Sequence, residues 1–121
     1  MKTPVFARWA DKTGMADVAL LESVEEISGG LMDANLGGHV FKKPVGIAGR
    51  GKRSGARTLL ALQVAERACF LYGYAKNRRA NVSDKELQAL KRSAAELLGY
   101  DDRALARALQ AGELYEVEND E

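Results

Sequence analysis

The opening residues repeat apolar and polar positions at the spacing of α-helices. Apolar side chains recur near i, i+3 and i+4 in residues 5–12 and again in residues 16–28. Gly14 follows the first segment closely and Gly29 follows the second, and glycine commonly ends a helix. We therefore predict two helices packed as an antiparallel hairpin, with Trp9 as a packing anchor between the hairpin and a sheet.

The middle of the chain has the pattern of β-strands. Short apolar runs cover residues 39–45, 57–65 and 68–75. Glu66-Arg67 stands between the last two runs and predicts a tight turn that joins them as a hairpin. Alternation along the second run places Arg57 on one face of this predicted sheet.

The third run is rich in aromatic residues. Alternation gives Phe70, Tyr72 and Tyr74 a common face. Rings beside cations can stack on nucleobases, but rings on a strand more often pack in a core, and we favour the core. Cys69 is predicted to be a buried small hydrophobe. His39, at the start of the first run, is expected to have a structural role, with a general base as the alternative.

Two helices are predicted to follow the strands. Ser83 and Glu86 form the S-x-x-E pattern of a capping box, which predicts a helix over residues 84–98. Asp101 or Asp102 caps a last short helix. The order α-α-β-β-β-α-α predicts an α+β fold on a small antiparallel sheet. We expect a single domain, 1–121, with an acidic tail over about 113–121.

Composition narrows the classes of function. The 121 residues are 46% hydrophobic and 29% charged, as in an ordinary globular protein. One cysteine and one histidine argue against an internal disulfide, a zinc centre and a Ser-His-Asp triad, so we expect no metal and no cofactor. Apolar runs fall short of the ~18 residues of a membrane span, and the charged start is unlike a signal peptide. We expect a cytoplasmic protein with no membrane partner.

The net charge of +1 conceals a strong asymmetry. Residues 39–81 hold ten basic side chains against one acid, a net charge of +9. Residues 1–38 have a net charge of −3 and residues 82–121 a net charge of −5. A concentrated basic region suits a polyanionic partner such as RNA. The alternative is a set of dispersed, solvated cations.

A glycine-rich basic segment precedes the second strand. Residues 46–52 nearly match a phosphate-binding P-loop, but Arg53 stands where that motif needs Ser or Thr, and a strand follows in place of a helix. We therefore predict a basic loop with Arg50 and Lys52 rather than a nucleotide site. Arg57 follows this loop, and the alternative for it is an ion pair with an acid of the first two helices.

A second basic segment, residues 76–79, follows the third predicted strand. If the two strands pair as a hairpin, Lys76 and Arg57 lie at the same end of the sheet. Two basic segments would then converge on one place, which is the strongest indication of a polyanion site. The alternative is two unrelated solvated ends.

Several motifs together resemble the RelE/HigB-like toxins of type II toxin–antitoxin systems. They are GGHVFKK, GRGKRSGARTLLAL, ACFLYGYAKNRRANVSDKEL and GELYEV. The similarity extends over nearly the whole chain and implies a RelE/ParE-like fold, with an N-terminal helical hairpin on a small twisted antiparallel sheet and two C-terminal helices. It also implies a metal-independent endoribonuclease that cuts mRNA on the ribosome and inhibits translation.

The resemblance implies partners as well. Such toxins are neutralised by a cognate antitoxin, commonly with a helix-turn-helix DNA-binding domain. They contact operator DNA only through the antitoxin complex, which represses the operon. The alternative is a non-catalytic binding module of the same fold, which inhibits another nucleic-acid machine or serves as a co-repressor.

The resemblance also suggests roles for the basic residues. Arg57 matches the arginine that opens the central strand and would stabilise the transition state, and Lys52 and Lys76 would transfer protons. The residues expected to bind RNA are Lys43, Arg50, Arg53, Asn77, Arg78 and Arg79. The chain departs from the family pattern at Ala56, where a tyrosine is common, and at Asn77, which aligns with a second arginine. These departures leave the catalytic assignment open.

Overall fold

The helical hairpin forms as predicted. The computed structural model describes residues 1–32, 34–47, 55–63 and 67–117. Helix α1 covers Pro4–Thr13 and helix α2 covers Asp17–Ser28. The Thr3 hydroxyl accepts a hydrogen bond from the backbone N–H of Phe6, which caps the start of α1. Gly14, with φ of 78°, takes the left-handed conformation that ends the helix.

Within the described ranges, four antiparallel strands form one sheet in the order β1-β2-β3-β4. They are β1 (Ala34–Asn35), β2 (Val40–Pro44), β3 (Ala56–Gln63) and β4 (Arg67–Ala75). The predicted turn at Glu66-Arg67 needs correction, because Arg67 already belongs to β4, and Glu66 lies outside the described residues. The two-residue strand β1 is too short to leave a sequence pattern. His39 lies in the turn before β2, with φ of 64°.

The pairing of β3 with β4 changes register at a β-bulge. Leu59 pairs with Tyr72, whereas the next residue, Leu60, pairs with Phe70. Leu71 is therefore the extra residue on β4. Such a residue interrupts the alternation of side chains between the two faces of a strand.

The bulge separates the aromatic residues of β4. Phe70 packs against Phe6 of the hairpin, with ring centroids 5.2 Å apart. Tyr72 and Tyr74 lie on the opposite face, with ring centroids 6.3 Å apart. The prediction that all three rings share a face is therefore wrong for Phe70.

Helices cover both faces of the sheet. The hairpin packs on one face over a core that includes Phe6, Ala10, Leu20, Ile27, Leu60, Leu62 and Phe70. Helices α3 (Asp84–Leu98) and α4 (Asp102–Gln110) belong to the other face, whose core includes Val40, Ala61, Cys69, Leu71, Ala94, Ala108 and Leu114. Burial raises the pKa of the Cys69 thiol to about 11, as expected of a buried small hydrophobe.

Arginines near the two ends of β4 attach helix α3 to the sheet. The Nη1 atom of Arg67 donates to the carbonyl oxygens of Leu97, in the last turn of α3, and Tyr100, just after it, at 2.8 and 2.7 Å. At the other end, the predicted capping box is confirmed, with both reciprocal hydrogen bonds between Ser83 and Glu86. Glu86 in turn pairs with Arg79. The helix is thereby fixed at its start and at its end.

Trp9 anchors the hairpin on the sheet as predicted. Its indole ring lies directly over Gly73 of β4, and a Cβ atom at that glycine would lie 2.2 Å from two ring carbons. Contacts under 3.0 Å cannot be accommodated without movement of the neighbour. Trp9 also packs against Phe6, with ring centroids 5.7 Å apart. Gly73 is therefore required by the close approach of the indole.

We predict that Gly73→Ala lowers the free energy of unfolding by about 1–3 kcal/mol, since overpacking displaces side chains from their rotamers. Gly29→Ala is the control, because its added Cβ would meet atoms at ordinary contact distances of 3.5 and 3.7 Å. That variant should change stability by less than about 0.5 kcal/mol. Urea denaturation of both variants measures the difference, and equal stabilities would contradict the close packing of Trp9 on the sheet.

Candidate nucleic-acid interface

Basic residues from separate segments meet where β3 begins and β4 ends. Arg57 pairs with Tyr74 in the ladder, and the backbone N–H of Lys76 donates to the carbonyl of Gly55 at 2.7 Å. The predicted convergence of Arg57 and Lys76 on one end of the sheet is confirmed. The loop cations Arg50, Lys52 and Arg53 lie outside the described residues and remain predictions.

Arg57 lies on the sheet face that is turned away from the helical hairpin. Its neighbour Ala56 packs in the hairpin core, and Gly73 lies under Trp9. Alternation therefore puts Arg57 and its partner Tyr74 on the opposite face. The Arg57 side chain is half-buried, and its Nη1 donates to the carbonyl of Ala56 at 3.3 Å. This backbone contact helps to position the guanidinium at the end of the sheet.

Adjacent lysines of β2 point to opposite faces. Lys43 is 3% exposed, and its Nζ lies 3.3 Å from a carboxylate oxygen of Glu26 on α2. Lys42 is on the other face, where its Nζ donates to Oδ1 of Asn81 at 3.2 Å. The expected contact of Lys43 with RNA is corrected by this burial, which gives Lys43 a structural ion pair. Lys42 instead lies on the face of Arg57.

The turn after β4 holds four predicted site residues and exposes three of them: Lys76, which was predicted to transfer protons, and Asn77 and Arg78, which were predicted to bind RNA. A ligand that approaches from solvent can contact all three side chains. Their exposure and their position next to Arg57 fit the expected RNA contact, although their roles stay predictions. Exposed cations attract phosphates over several ångströms and set the salt dependence of binding.

Arg79, the fourth residue, is held by neighbouring groups. Both Nη atoms of its guanidinium donate to the Glu86 carboxylate, with Nη1 3.1 Å from Oε2. Nη1 also donates to the Tyr72 hydroxyl at 3.3 Å, and Nε donates to the carbonyl of Asn81 at 3.0 Å. Much of the charge of Arg79 is thus balanced locally. Its main effect is to fix Tyr72 and the start of α3 beside the interface.

Two tyrosines of β4 place their aromatic rings on this face of the sheet. Tyr74 is 4% exposed, and its hydroxyl donates to the carbonyl of Ala80 at 3.5 Å. Tyr72 is half-buried and lines a surface hollow next to α3. Our preference for packed rings therefore holds for Tyr74, whereas Tyr72 keeps part of its ring accessible.

Sequence reasoning missed Lys42, Asn81 and the pairing of Arg79 with Glu86. The alternation of the two lysines along β2 indicates that they face opposite ways, so Lys42 could have been found from that signal. The ion pair between Arg79 and Glu86 depends on how the turn folds back to α3, and the sequence pattern contains no sign of it.

No group of three or more His, Cys, Asp and Glu side chains could hold a metal ion among the residues that the structure describes. Within the same ranges, no helix is both long and apolar enough to cross a membrane.

A protein-family model described as the RelE toxin of the RelE/RelB toxin–antitoxin system matches residues 1–117. A search of the curated proteins found no match. The family match extends over all four helices and all four strands, including both basic segments of the interface.

The ion pair of Arg79 with Glu86 generates a prediction about acid stability. The hydrogen bonds from Arg79, with a further contribution from Ser83, lower the pKa of Glu86 from 4.5 to about 2. A carboxylate whose pKa is lower in the folded state than in the unfolded state stabilises the fold. This stabilisation is fully present at pH values above the unfolded pKa and is lost as the pH falls through the folded pKa. We therefore expect Glu86→Gln to destabilise the protein at neutral pH, by an amount that shrinks between about pH 4.5 and 2.

Urea denaturation of the wild type and Glu86→Gln across this pH range measures the effect. Glutamine can keep the capping box, so the comparison isolates the charge. Arg79→Gln and the double variant complete a double-mutant cycle, whose coupling should also fade towards pH 2. A stability difference that stays constant with pH would contradict the depressed pKa.

Proposed function

The chain belongs to the RelE toxin family of toxin–antitoxin systems, and we propose that it is a ribosome-dependent endoribonuclease that cuts mRNA without a metal ion. The observation that supports this most directly is the meeting of Arg57 and Lys76 beside Tyr72 and Tyr74 at one end of the sheet. Cations of this kind attract the phosphates of RNA, and an accessible aromatic ring, here that of Tyr72, can stack on its bases.

The residues at this end suit metal-free cleavage of RNA. In that reaction the ribose 2′-OH attacks the adjacent phosphate, so one group must accept its proton and another must protonate the leaving 5′-oxygen. Lysine can exchange a proton, and we assign these transfers to Lys76 and to Lys52 of the basic loop. Arginine stays charged, and we assign Arg57 to the negative charge that develops on the phosphate. Charges fixed before the reaction are the most effective ones.

The remaining basic residues are proposed to hold the RNA backbone. They are Arg50, Arg53 and Arg78, with Asn77 as a hydrogen-bonding neighbour. Lys43 is left out because it is buried against Glu26, and Lys42 takes its place on the exposed face. Arg79 acts on RNA through Tyr72 rather than through a phosphate.

A toxin of this family has a cognate antitoxin. We propose that the antitoxin has a helix-turn-helix domain and that operator DNA is contacted only through the toxin–antitoxin complex. We further propose that the toxin acts in the cytoplasm, on mRNA within translating ribosomes.

We predict that Arg57→Ala abolishes toxicity and lowers mRNA cleavage by about 10²-fold or more, because one fixed donor to a developing charge has an effect of that size. The test is inducible expression in a bacterial host, with transcript 5′ ends mapped minutes after induction. New in-frame ends within translated regions should appear with the wild type and be absent with the variant. Circular dichroism should show unchanged folding.

Arg103→Ala is the matched control, since this arginine is exposed on α4, away from the sheet end. It should leave toxicity intact. Full toxicity of Arg57→Ala would refute the role of Arg57. Growth arrest by the wild type without new 5′ ends would instead support the non-catalytic binding module, for which the departures at Ala56 and Asn77 leave room.

The basic loop gives a second prediction. Replacement of Arg50, Lys52 and Arg53 by glutamine should weaken binding to ribosomes or single-stranded RNA. The slope of log K against log salt should fall by about two, since each lost phosphate contact contributes about 0.7 on single strands.

A control with the same loss of charge is the combination Arg8→Gln, Lys12→Gln and Arg103→Gln, which changes exposed positions on α1 and α4. It should leave the slope nearly unchanged. If both triple variants alter the slope equally, net charge alone explains binding and the basic loop has no specific part in it.

A further inference from the structure

A small hollow opens beside the interface, between Tyr72 and the first half of α3. Its volume is about 200 Å³, and its walls are Tyr72, Glu86, Ala89, Leu90 and Ser93. The four helix residues share one stripe of α3, because they follow i, i+3, i+4 and i+7 spacing. Ala89 and Ser93 are small, so the helix does not fill the space against the tyrosine ring. Further along, α3 closes on the sheet through Ala94.

We propose that this hollow binds one unstacked nucleobase of the RNA, a role that rests on the proposed function. The phenol ring of Tyr72 offers a flat aromatic wall, and Leu90 offers an apolar one. Bases of single-stranded RNA bind by stacking on such rings. A hollow of this size suits a single base, whereas pockets for drug-sized ligands are larger, at roughly 300–1,000 Å³.

The position of the hollow relative to Arg57 supports this ligand. Arg57 pairs with Tyr74, which is two residues beyond Tyr72 on the same face of β4. Two residues of a strand span roughly 6.6 Å. When a phosphate of the RNA is bound at Arg57, the base of a neighbouring nucleotide can therefore reach the hollow. Lys42 lies on the same face, with its Nζ 3.2 Å from Oδ1 of Asn81, and adds positive charge to this face.

Tyr72 is held in place before any ligand arrives. Its hydroxyl accepts a hydrogen bond from Arg79 at 3.3 Å, and its ring lies against that of Tyr74. Arg79 is itself fixed by Glu86. A ring that is ordered in advance loses little conformational freedom on binding, which favours stacking.

Glu86 gives the hollow a preference among bases. Oε1 of its carboxylate accepts hydrogen bonds from Arg79 and from the backbone N–H of Ser83, whereas Oε2 accepts one, from Arg79. A carboxylate oxygen has about two lone-pair sites, so Oε2 can accept another donor. Exocyclic amino groups of adenine and cytosine are such donors, whereas uracil has no amino group and offers only its ring N3–H. The hollow is therefore expected to favour adenine or cytosine over uracil.

The experiment compares binding of fluorescein-labelled oligouridylates to the full chain by anisotropy. One oligonucleotide is all uridine, and two others carry a central adenosine or cytidine. The wild type should bind the latter two about tenfold more tightly, as expected for one additional hydrogen bond to a charged group. Ala89→Phe fills the hollow and should remove this difference. Ala95→Phe adds the same ring at an exposed position about 120° around the helix and should preserve it.

Further variants separate folding from binding. Tyr72→Leu removes the aromatic wall and should abolish the preference, whereas Tyr72→Phe retains the ring and should keep most of it. Melting curves by circular dichroism identify any variant that fails to fold. Equal binding of all three oligonucleotides by the wild type, or an unchanged preference in both Ala89→Phe and Tyr72→Leu, would overturn the proposal.

Mapping of transcript 5′ ends keeps this inference distinct from the proposed function. A base preference that Ala89→Phe removes, without new ends in cells, would retain the hollow and reject the nuclease. New ends together with an unchanged preference in both Ala89→Phe and Tyr72→Leu would retain the nuclease and reject the hollow.

Discussion

The pairing of β3 with β4 is the constraint on which the rest of the structure depends. It places Leu59 opposite Tyr72 and Leu60 opposite Phe70, with Leu71 as the extra residue between them. Residues 69–71 alternate between the two cores as in any strand, with Phe70 in the hairpin core and Leu71 in the core under α3. The added residue turns Tyr72 to the same face as Leu71, next to α3. Past the bulge, the strand presents Tyr72 and Tyr74 beside Arg57. The interface is therefore a consequence of strand register.

The hairpin packs on one face of the sheet, so the basic residues at the end of β3 and β4 lie on the other. The indole of Trp9 lies against the backbone of Gly73, and Glu26 reaches over the strands to pair with Lys43. On the opposite face, α3 covers the sheet around Ala61 and Cys69 but stops short of Arg57. Among the residues that the structure describes, Arg57 and Lys76 converge at that end of the sheet.

Local features of the structure could be predicted from the sequence, and long-range ones could not. The helix α3 is marked by Ser83 and Glu86, because a capping box acts within one turn. The convergence of Arg57 with Lys76 also followed from a hairpin, which needs only neighbouring strands. The bulge at Leu71 was not predicted, because the register depends on both strands of the pair. The sequence of one strand by itself suggests only regular alternation.

For the same reason, the sequence could not fully predict the roles of the basic residues. Each role depends on which face of the sheet the residue occupies. Among the basic residues of 39–81, Lys43, Arg67 and Arg79 have structural partners: Glu26, carbonyls at the end of α3 and Glu86. The net charge of the segment therefore overstates the charge that is available to a ligand. Paired arginines still contribute by position, because Arg79 holds the tyrosine next to Arg57. The region is better understood as a few exposed cations around a fixed aromatic surface than as a uniformly positive one, and such an arrangement can distinguish among bases as well as attract phosphates.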